Sequence, residues 1–176
     1  REFEDTVPVA LIRMESPPMA DMLEGYYGLK YHALIRFGRW QDIIDEPLPH
    51  DPDLYLVTTA ICHYAKAVAH AASGDVAGGE RHAELFEAAR ARVPESRTLF
   101  NNTCLDILAV AAAMLRGEIE YRRGSHDLAF EHLRTAVKRE DELPYDEPWG
   151  WMQPARHALG ALTLEQGRLE EAEAVY

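Results

Sequence analysis

The sequence is poor in the residues that many protein chemistries require. It has two cysteines, Cys62 and Cys104, both within apolar helical runs and with no CxxC pair. A disulfide framework and a thiolate zinc site are therefore unexpected, and both thiols are expected buried and reduced, in keeping with a cytoplasmic setting. No apolar run reaches the roughly 18 to 20 residues of a membrane-spanning helix, so no membrane partner is expected. Positive charge is scarce: 18 Lys and Arg stand against 30 Asp and Glu, a formal charge of −12. A chain this acidic lacks the basic face that a phosphate backbone needs, which argues against nucleic acid as its partner.

Catalytic signatures are missing as well. There is no GxSxG elbow, no P-loop and no GxGxxG fingerprint. The eight histidines, His32, His50, His63, His70, His82, His126, His132 and His157, include no i, i+4 pair of the HExxH kind. His63 and His70 share a helix face with Cys62 adjacent to it, which is too little for a metal site, and no metal or cofactor is expected. The acidic runs Glu140-Asp141-Glu142 and Glu170-Glu171 fall at helix ends or on solvent faces. Asn101-Asn102-Thr103 matches a glycosylation acceptor, but it opens a helical segment and no signal peptide is visible. No period-two strand pattern persists anywhere.

What the sequence does contain is helical repetition. Hydrophobic residues make up 47% and charged residues 27%, an ordinary globular balance. Gly160, Gly167 and Ala172 recur at the same offsets as Gly117, Gly124 and Ala129. The first residue of each set is small where two helices cross, the second closes a helix in the left-handed region, and the third is the small contact from the next helix. Two earlier units are weaker: Ala67, Gly74 and Gly79 form one, while Tyr31, Gly38 and Ile43 form the other. The turn glycines Gly38, Gly74, Gly124 and Gly167 are 36, 50 and 43 residues apart. Each spacing exceeds the minimal 34-residue repeat, so the stacking should be irregular. Helices are expected at about 19–37, 39–46, 53–73, 75–93, 99–123, 125–141, 149–166 and 168–176, with Pro154 either kinking the seventh or moving its start. Asp51-Pro52 reads as a helix start and Ser125 as a cap. Residues 1–18 should be an irregular segment or the end of an upstream helix. The chain opens at Arg1 without methionine and stops at Tyr176 inside an unfinished helical pattern, so an excerpt of a longer protein is expected.

These glycine and alanine offsets resemble those of the tetratricopeptide repeat (TPR) family. The stretches Arg36 to Trp40, Leu99 to Asp106, and Tyr145 to Pro154 resemble more closely a set of bacterial and fungal TPR-like proteins of unassigned role. The resemblance covers most of the chain from about Met19 and departs from the repeat pattern at Tyr31, Ile43 and Gly79. It implies an all-α fold: a right-handed superhelical stack of antiparallel helix pairs, about four irregular repeats over residues 19–176. It also implies a scaffold for partner binding, usually of peptides.

In such a stack the first helix of each pair lines a concave groove. Counting from each crossing residue, the groove positions are Gly28, His32 and Ile35; Tyr64, Val68 and Ala71; Met114, Glu118 and Tyr121; and His157, Ala161 and Leu164. His32, Tyr64, Met114, Glu118, Tyr121 and His157 would form a mixed aromatic and ionisable lining, suited to a protein or peptide segment or to a small ligand. Trp149 and Trp151, around Gly150 at a loop-to-helix junction, read either as a hydrophobic plug or as an aromatic anchor for a partner. Binding is favoured over catalysis. The alternatives are a small-ligand, metal-binding or enzymatic protein using the inward His, Tyr and Glu, and an architectural segment that self-associates through an apolar end surface at Ala172, Val175 and Tyr176.

Overall fold

The computed structural model describes residues 7–147 and 150–176. These residues are mostly helical. After the short helices α1 (Val9–Ile12) and α2 (Met19–Leu23), a 3-10 turn (Glu24–Gly28) leads into α3 (Leu29–Arg36). Then follow α4 (Trp40–Asp45), α5 (Leu56–Ala72), α6 (Val76–Arg90), a two-stranded hairpin of β1 (Thr98–Leu99) and β2 (Asn102–Thr103), α7 (Cys104–Arg123), α8 (His126–Asp141), α9 (Ala155–Glu165) and α10 (Leu169–Val175).

One turn chemistry makes four helical hairpins. Gly38, Gly74, Gly124 and Gly167 have φ of 62°, 89°, 86° and 72°, the left-handed region that a side chain disfavours. Each glycine donates its N–H to the carbonyl three residues back, and the residue after it donates to the carbonyl five residues back. At the third turn these bonds are Gly124 to Tyr121 at 3.0 Å and Ser125 to Glu120 at 2.9 Å; at the fourth they are Gly167 to Leu164 at 2.9 Å and Arg168 to Thr163 at 3.0 Å. The paired bonds satisfy the last carbonyls of one helix and aim the chain back along it. Five residues after each glycine stand Ile43, Gly79, Ala129 and Ala172, all buried against the preceding helix.

The helix starts differ in how they are capped. Asp75 accepts from Gly78 N at 2.8 Å and Thr103 from Asp106 N at 3.1 Å, each relieving one orphan N–H of the first turn. Ser125 makes no side-chain capping bond, contrary to expectation. The most elaborate start is that of α5. Its free amides are met by Glu24, which lies in the 3-10 turn: Glu24 Oε2 accepts from Val57 N at 3.0 Å and Oε1 from Thr58 N at 2.7 Å. Arg97 reaches the same carboxylate through Nη1 at 3.3 Å, and its Nε lies 3.1 Å from Asp21 Oδ1. A buried anion thus sits on the positive end of α5.

α5 is buried almost all round, because α6, α7, α4, α3 and the 3-10 turn all pack on it. α7 packs on α8, α5 and α6, and α9 on α8 and α10. One continuous core runs from Tyr31 and Ile43 through Ala65, Phe86, Leu108 and Leu133 to Leu159 and Leu162. A smaller cluster of Ile12, Tyr27 and Tyr55 holds down the N-terminal segment.

Several boundaries differ from the sequence-based expectation. The helix expected over 19–37 is broken by the 3-10 turn, and the segment before it contains α1. Asp51 caps only a turn, accepting from Leu54 N at 3.2 Å, and α5 begins at Leu56. The helix expected from residue 99 begins at Cys104, because Leu99 pairs with Asn102 around Phe100, whose φ is 54°. Pro154 moves the start of α9 to Ala155, where Glu140 Oε2 accepts from Ala155 N at 2.7 Å. No helix among the described residues is long and apolar enough to cross a membrane.

Candidate functional site

A groove of about 400 Å³ runs across the first helices of all four hairpins. α3 contributes Ile35 and Arg36, α5 Tyr64 and Val68, α7 Met114, Glu118 and Arg122, and α9 His157, Ala158 and Ala161. Trp40, Leu133, Gln153 and Pro154 complete it. The spacing explains the lining. Tyr64 and Val68, Met114, Glu118 and Arg122, and His157 and Ala161 are each one helical turn apart, so α5, α7 and α9 each offer one stripe, while α3 reaches the groove through its last two residues.

Of the candidate residues, Tyr64, Met114, Glu118 and His157 come together here. His157 is exposed at the rim, whereas Tyr64 is 2% exposed and offers one side of its ring from the floor. Glu118 accepts from Arg122 Nε at 2.9 Å. Burial, and then the Glu118 carboxylate, push the Tyr64 hydroxyl far above its ordinary range, so it stays a neutral donor.

His32, Tyr121 and Trp151 do not line the groove. Tyr121 turns toward the α7–α8 turn, 4.9 Å from the His126 ring and 6.2 Å from Phe130, and its hydroxyl accepts from Gln166 Nε2 at 2.8 Å. The stripe on α7 runs 114, 118 and 122, so Arg122 takes the place expected of Tyr121. Leu164, Gly28 and Ala71 also fall off the stripe; Gly28 instead lies against Ile61.

His32 and Trp151 form the layer beneath. Trp151 is fully buried, with its ring edge-on to His32 at 4.8 Å and to Tyr64 at 5.4 Å. It acts as a plug rather than an exposed anchor. Trp149 lies outside the described residues. Gln153 Nε2 donates to the His32 carbonyl at 2.5 Å, which ties the connection before α9 to α3. Burial pushes the His32 imidazole down to about 4, so the ring is neutral at physiological pH. His32 Nδ1 and Trp151 Nε1 have no hydrogen-bond partner among the described residues.

A polar clasp with no forewarning in the sequence pattern holds Pro144 and Asp146 against Asn101 and Asn102. Asp146 is buried and accepts from Asn101 N at 2.9 Å and Asn102 Nδ2 at 2.6 Å; Asn102 Nδ2 also reaches the Pro144 carbonyl at 3.1 Å. Two of the stretches singled out in the sequence, 99–106 and 145–154, therefore meet. Arg36, Trp40, Leu133, Gln153, Pro154 and Ala158 are further groove residues that were not anticipated; Arg36 and Trp40 lie in the stretch 36–40, and Gln153 and Pro154 in 145–154.

The histidines on α5 and α6 do cluster. His63 Nδ1 and His82 Nδ1 are 3.1 Å apart, the His82 ring stacks on His70 at 5.2 Å, and His70 Nδ1 faces Asp75 Oδ2 at 2.9 Å. Burial, with His63, His70, Lys66 and Arg81 nearby, pushes His82 down to about 4. Among the described residues no group of three or more His, Cys, Asp and Glu side chains could hold a metal ion. Both cysteines are buried and unpaired; burial raises the Cys62 thiol and takes Cys104 up to about 12, so neither is a thiolate nucleophile at neutral pH. The apolar end surface expected of α10 is smaller than its sequence implies: Ala172 is buried against α9, and Tyr176 remains exposed. No protein-family model, no curated protein and no solved structure matches this chain.

Proposed function

We infer that this chain is a TPR-like scaffold, its helical hairpins stacked as a right-handed superhelix, and that it holds an extended peptide or protein segment in the groove. The observation that carries the reading is the shared lining: the first helix of each hairpin contributes side chains to a single groove of about 400 Å³. The four chemically equivalent glycine turns support the same reading, because they give each hairpin the same local geometry.

The lining favours a peptide over a polar metabolite. Trp40, Tyr64, Val68 and Met114 present an apolar floor, and methionine adapts to varied side chains. Arg36, His157 and the Glu118–Arg122 pair supply polar groups around it. Arg36 has no ion-pair partner among the described residues, so a peptide with an apolar residue followed by a carboxylate fits best.

A randomised peptide library displayed against the intact protein tests this. Selected sequences should combine an apolar anchor with Asp or Glu, and Ala161→Trp, which fills the exposed side of the groove, should weaken their binding at least about tenfold with an unchanged helical spectrum. Peptides that bind the folded A161W protein as tightly as the parent would place the partner surface elsewhere.

A further inference from the structure

α7 has a second face with a different electrical character. Met114, Glu118 and Arg122 point into the groove; Ala109, Ala112, Ala113 and Arg116, half a helical turn around, floor a separate cleft of about 180 Å³. Its walls are Arg90 from the end of α6, and His132 and Arg139 from α8.

The charge in this cleft runs against that of the molecule. With 30 acidic and 18 basic residues, carboxylates are abundant, and the surface arginines find them readily. Arg13 pairs with Asp51, Arg92 with Asp53, Arg123 with Glu80 and Glu120, Arg156 with Asp141, and Arg168 with Asp127. Among the described residues only Arg36, Arg116 and Arg139 have no ion pair, and two of these three share this one cleft. Its single lining carboxylate, Glu87, accepts from Arg90 Nη1 at 3.0 Å. One acid thus faces three guanidinium groups and an imidazole.

Gathering like charge costs free energy unless an anion shares the space. The alanines lower the floor by the length of a side chain, which leaves room above α7 into which guanidinium forks from two helices can reach. We propose that this cleft is a binding site for a phosphate group, held by Arg116 and Arg139 with Arg90 and His132 beside them. Guanidinium planes match tetrahedral oxyanions in paired hydrogen bonds. The volume takes one such group and excludes a folded partner. The site is independent of the peptide groove, which lies on the other side of α7.

Inorganic phosphate titrated into the intact protein at low ionic strength, followed by calorimetry and by amide shifts of α7 and α8, tests the site. Saturable binding with a dissociation constant on the order of 1 mM is expected. The double variant R116Q/R139Q should weaken it by about tenfold or more, whereas R36Q, which removes the unpaired arginine of the groove, should leave it unchanged. All three side chains are solvent-facing, so the fold should persist, as circular dichroism would confirm. Phosphate binding that survives in R116Q/R139Q, or chloride at matched ionic strength giving the same shifts, would overturn the proposal and leave an adventitious ion only. O-phosphoserine and adenosine monophosphate then distinguish the carrier: the one that binds more tightly than inorganic phosphate identifies a modified side chain or a nucleotide, and equal binding identifies the free anion.

Discussion

In the α7–α8 hairpin, Gly117 lets Leu133 lie directly on the α7 backbone, and Ala129, Phe130 and Ala136 bury themselves along the same seam. The contacts join residues close in sequence and are almost wholly apolar. Around the start of α5 the arrangement is reversed. Glu24 is fully buried, bonds to Val57 and Thr58, and meets Arg97, which is 73 residues away along the chain. The crossing position of the neighbouring α3–α4 hairpin is held by the bulky Tyr31, which is buried. Along the α7–α8 seam apolar packing joins neighbouring helices; at the start of α5 a charged clasp joins segments distant in the chain. Apolar seams lose stability in proportion to fit, whereas a buried ion pair loses much more when one member goes.

Arg97→Ala should therefore give the largest loss. It leaves the Glu24 carboxylate buried without its cation, a change of about 3–5 kcal/mol at pH 7, read from urea denaturation. Burial already raises the Glu24 carboxyl above its usual range despite the bonds from Thr58 and Val57. Lowering the pH favours protonation of that group, so the variant's deficit should be smaller at a lower pH. A loss below about 1 kcal/mol at both pH values would mean that the clasp contributes no more than an exposed pair, and the contrast with α7–α8 would collapse.

Acid should act on buried polar groups outside the α7–α8 seam. His32 and His82 are both held down to about 4 in the folded chain, against 6.5 in the unfolded one. Between those values the unfolded state binds more protons, so stability is complete above about pH 6.5 and falls as pH drops toward 4. The deeply buried His32 accounts for about 3 kcal/mol of this; His82, much more exposed, for no more than about 1 kcal/mol. Glu24 has the opposite sign, since its raised pKa favours the folded state at low pH, and it will offset part of the loss. His32→Leu should flatten the urea midpoint between pH 6.5 and 4. A midpoint equally steep with and without His32 would show that its ring is not the buried neutral group the geometry describes.

How far the sequence could be read follows from the range of each interaction. The glycine turns were legible because a positive φ is a local demand that few residues other than glycine meet. The groove stripe was legible in part: Tyr64, Met114, Glu118 and His157 follow from counting along a helix. The same count put Tyr121 where Arg122 stands, because a tally taken from Gly117 drifts one position from the true turn-by-turn stripe. Glu24 could not be found this way, since its partners lie 33 to 73 residues away. Nor could Asp146, which is intelligible only once Asn101 and Asn102 are seen to face it. The β1–β2 hairpin is too short for any alternation to register. As for Trp151, its neighbours supported both a plug and an anchor, and only its burial beneath Tyr64 decides between them.

The smallest effect is the sharpest test of the apolar seam. A Cβ added at Gly117 would stand 2.7 Å from Leu133 Cγ and 3.2 Å from the Ala129 carbonyl oxygen. Leu133 is 1% exposed and has no free direction in which to retreat, so the helices must part slightly, at a cost of about 1–3 kcal/mol. Alanine's better helix propensity returns nearly 1 kcal/mol, which leaves G117A destabilised by about 1 kcal/mol. At Gly160 the added Cβ would meet the Tyr176 ring at 2.6 Å. That ring is 71% exposed and can swing aside, so the propensity gain should stand uncancelled and G160A should be neutral or slightly more stable. Both glycines stand seven residues before the turn glycine of their hairpins and differ in whether the neighbour can move. Equal losses at the two sites would show that the backbone crossing itself, rather than side-chain packing, sets the demand for glycine.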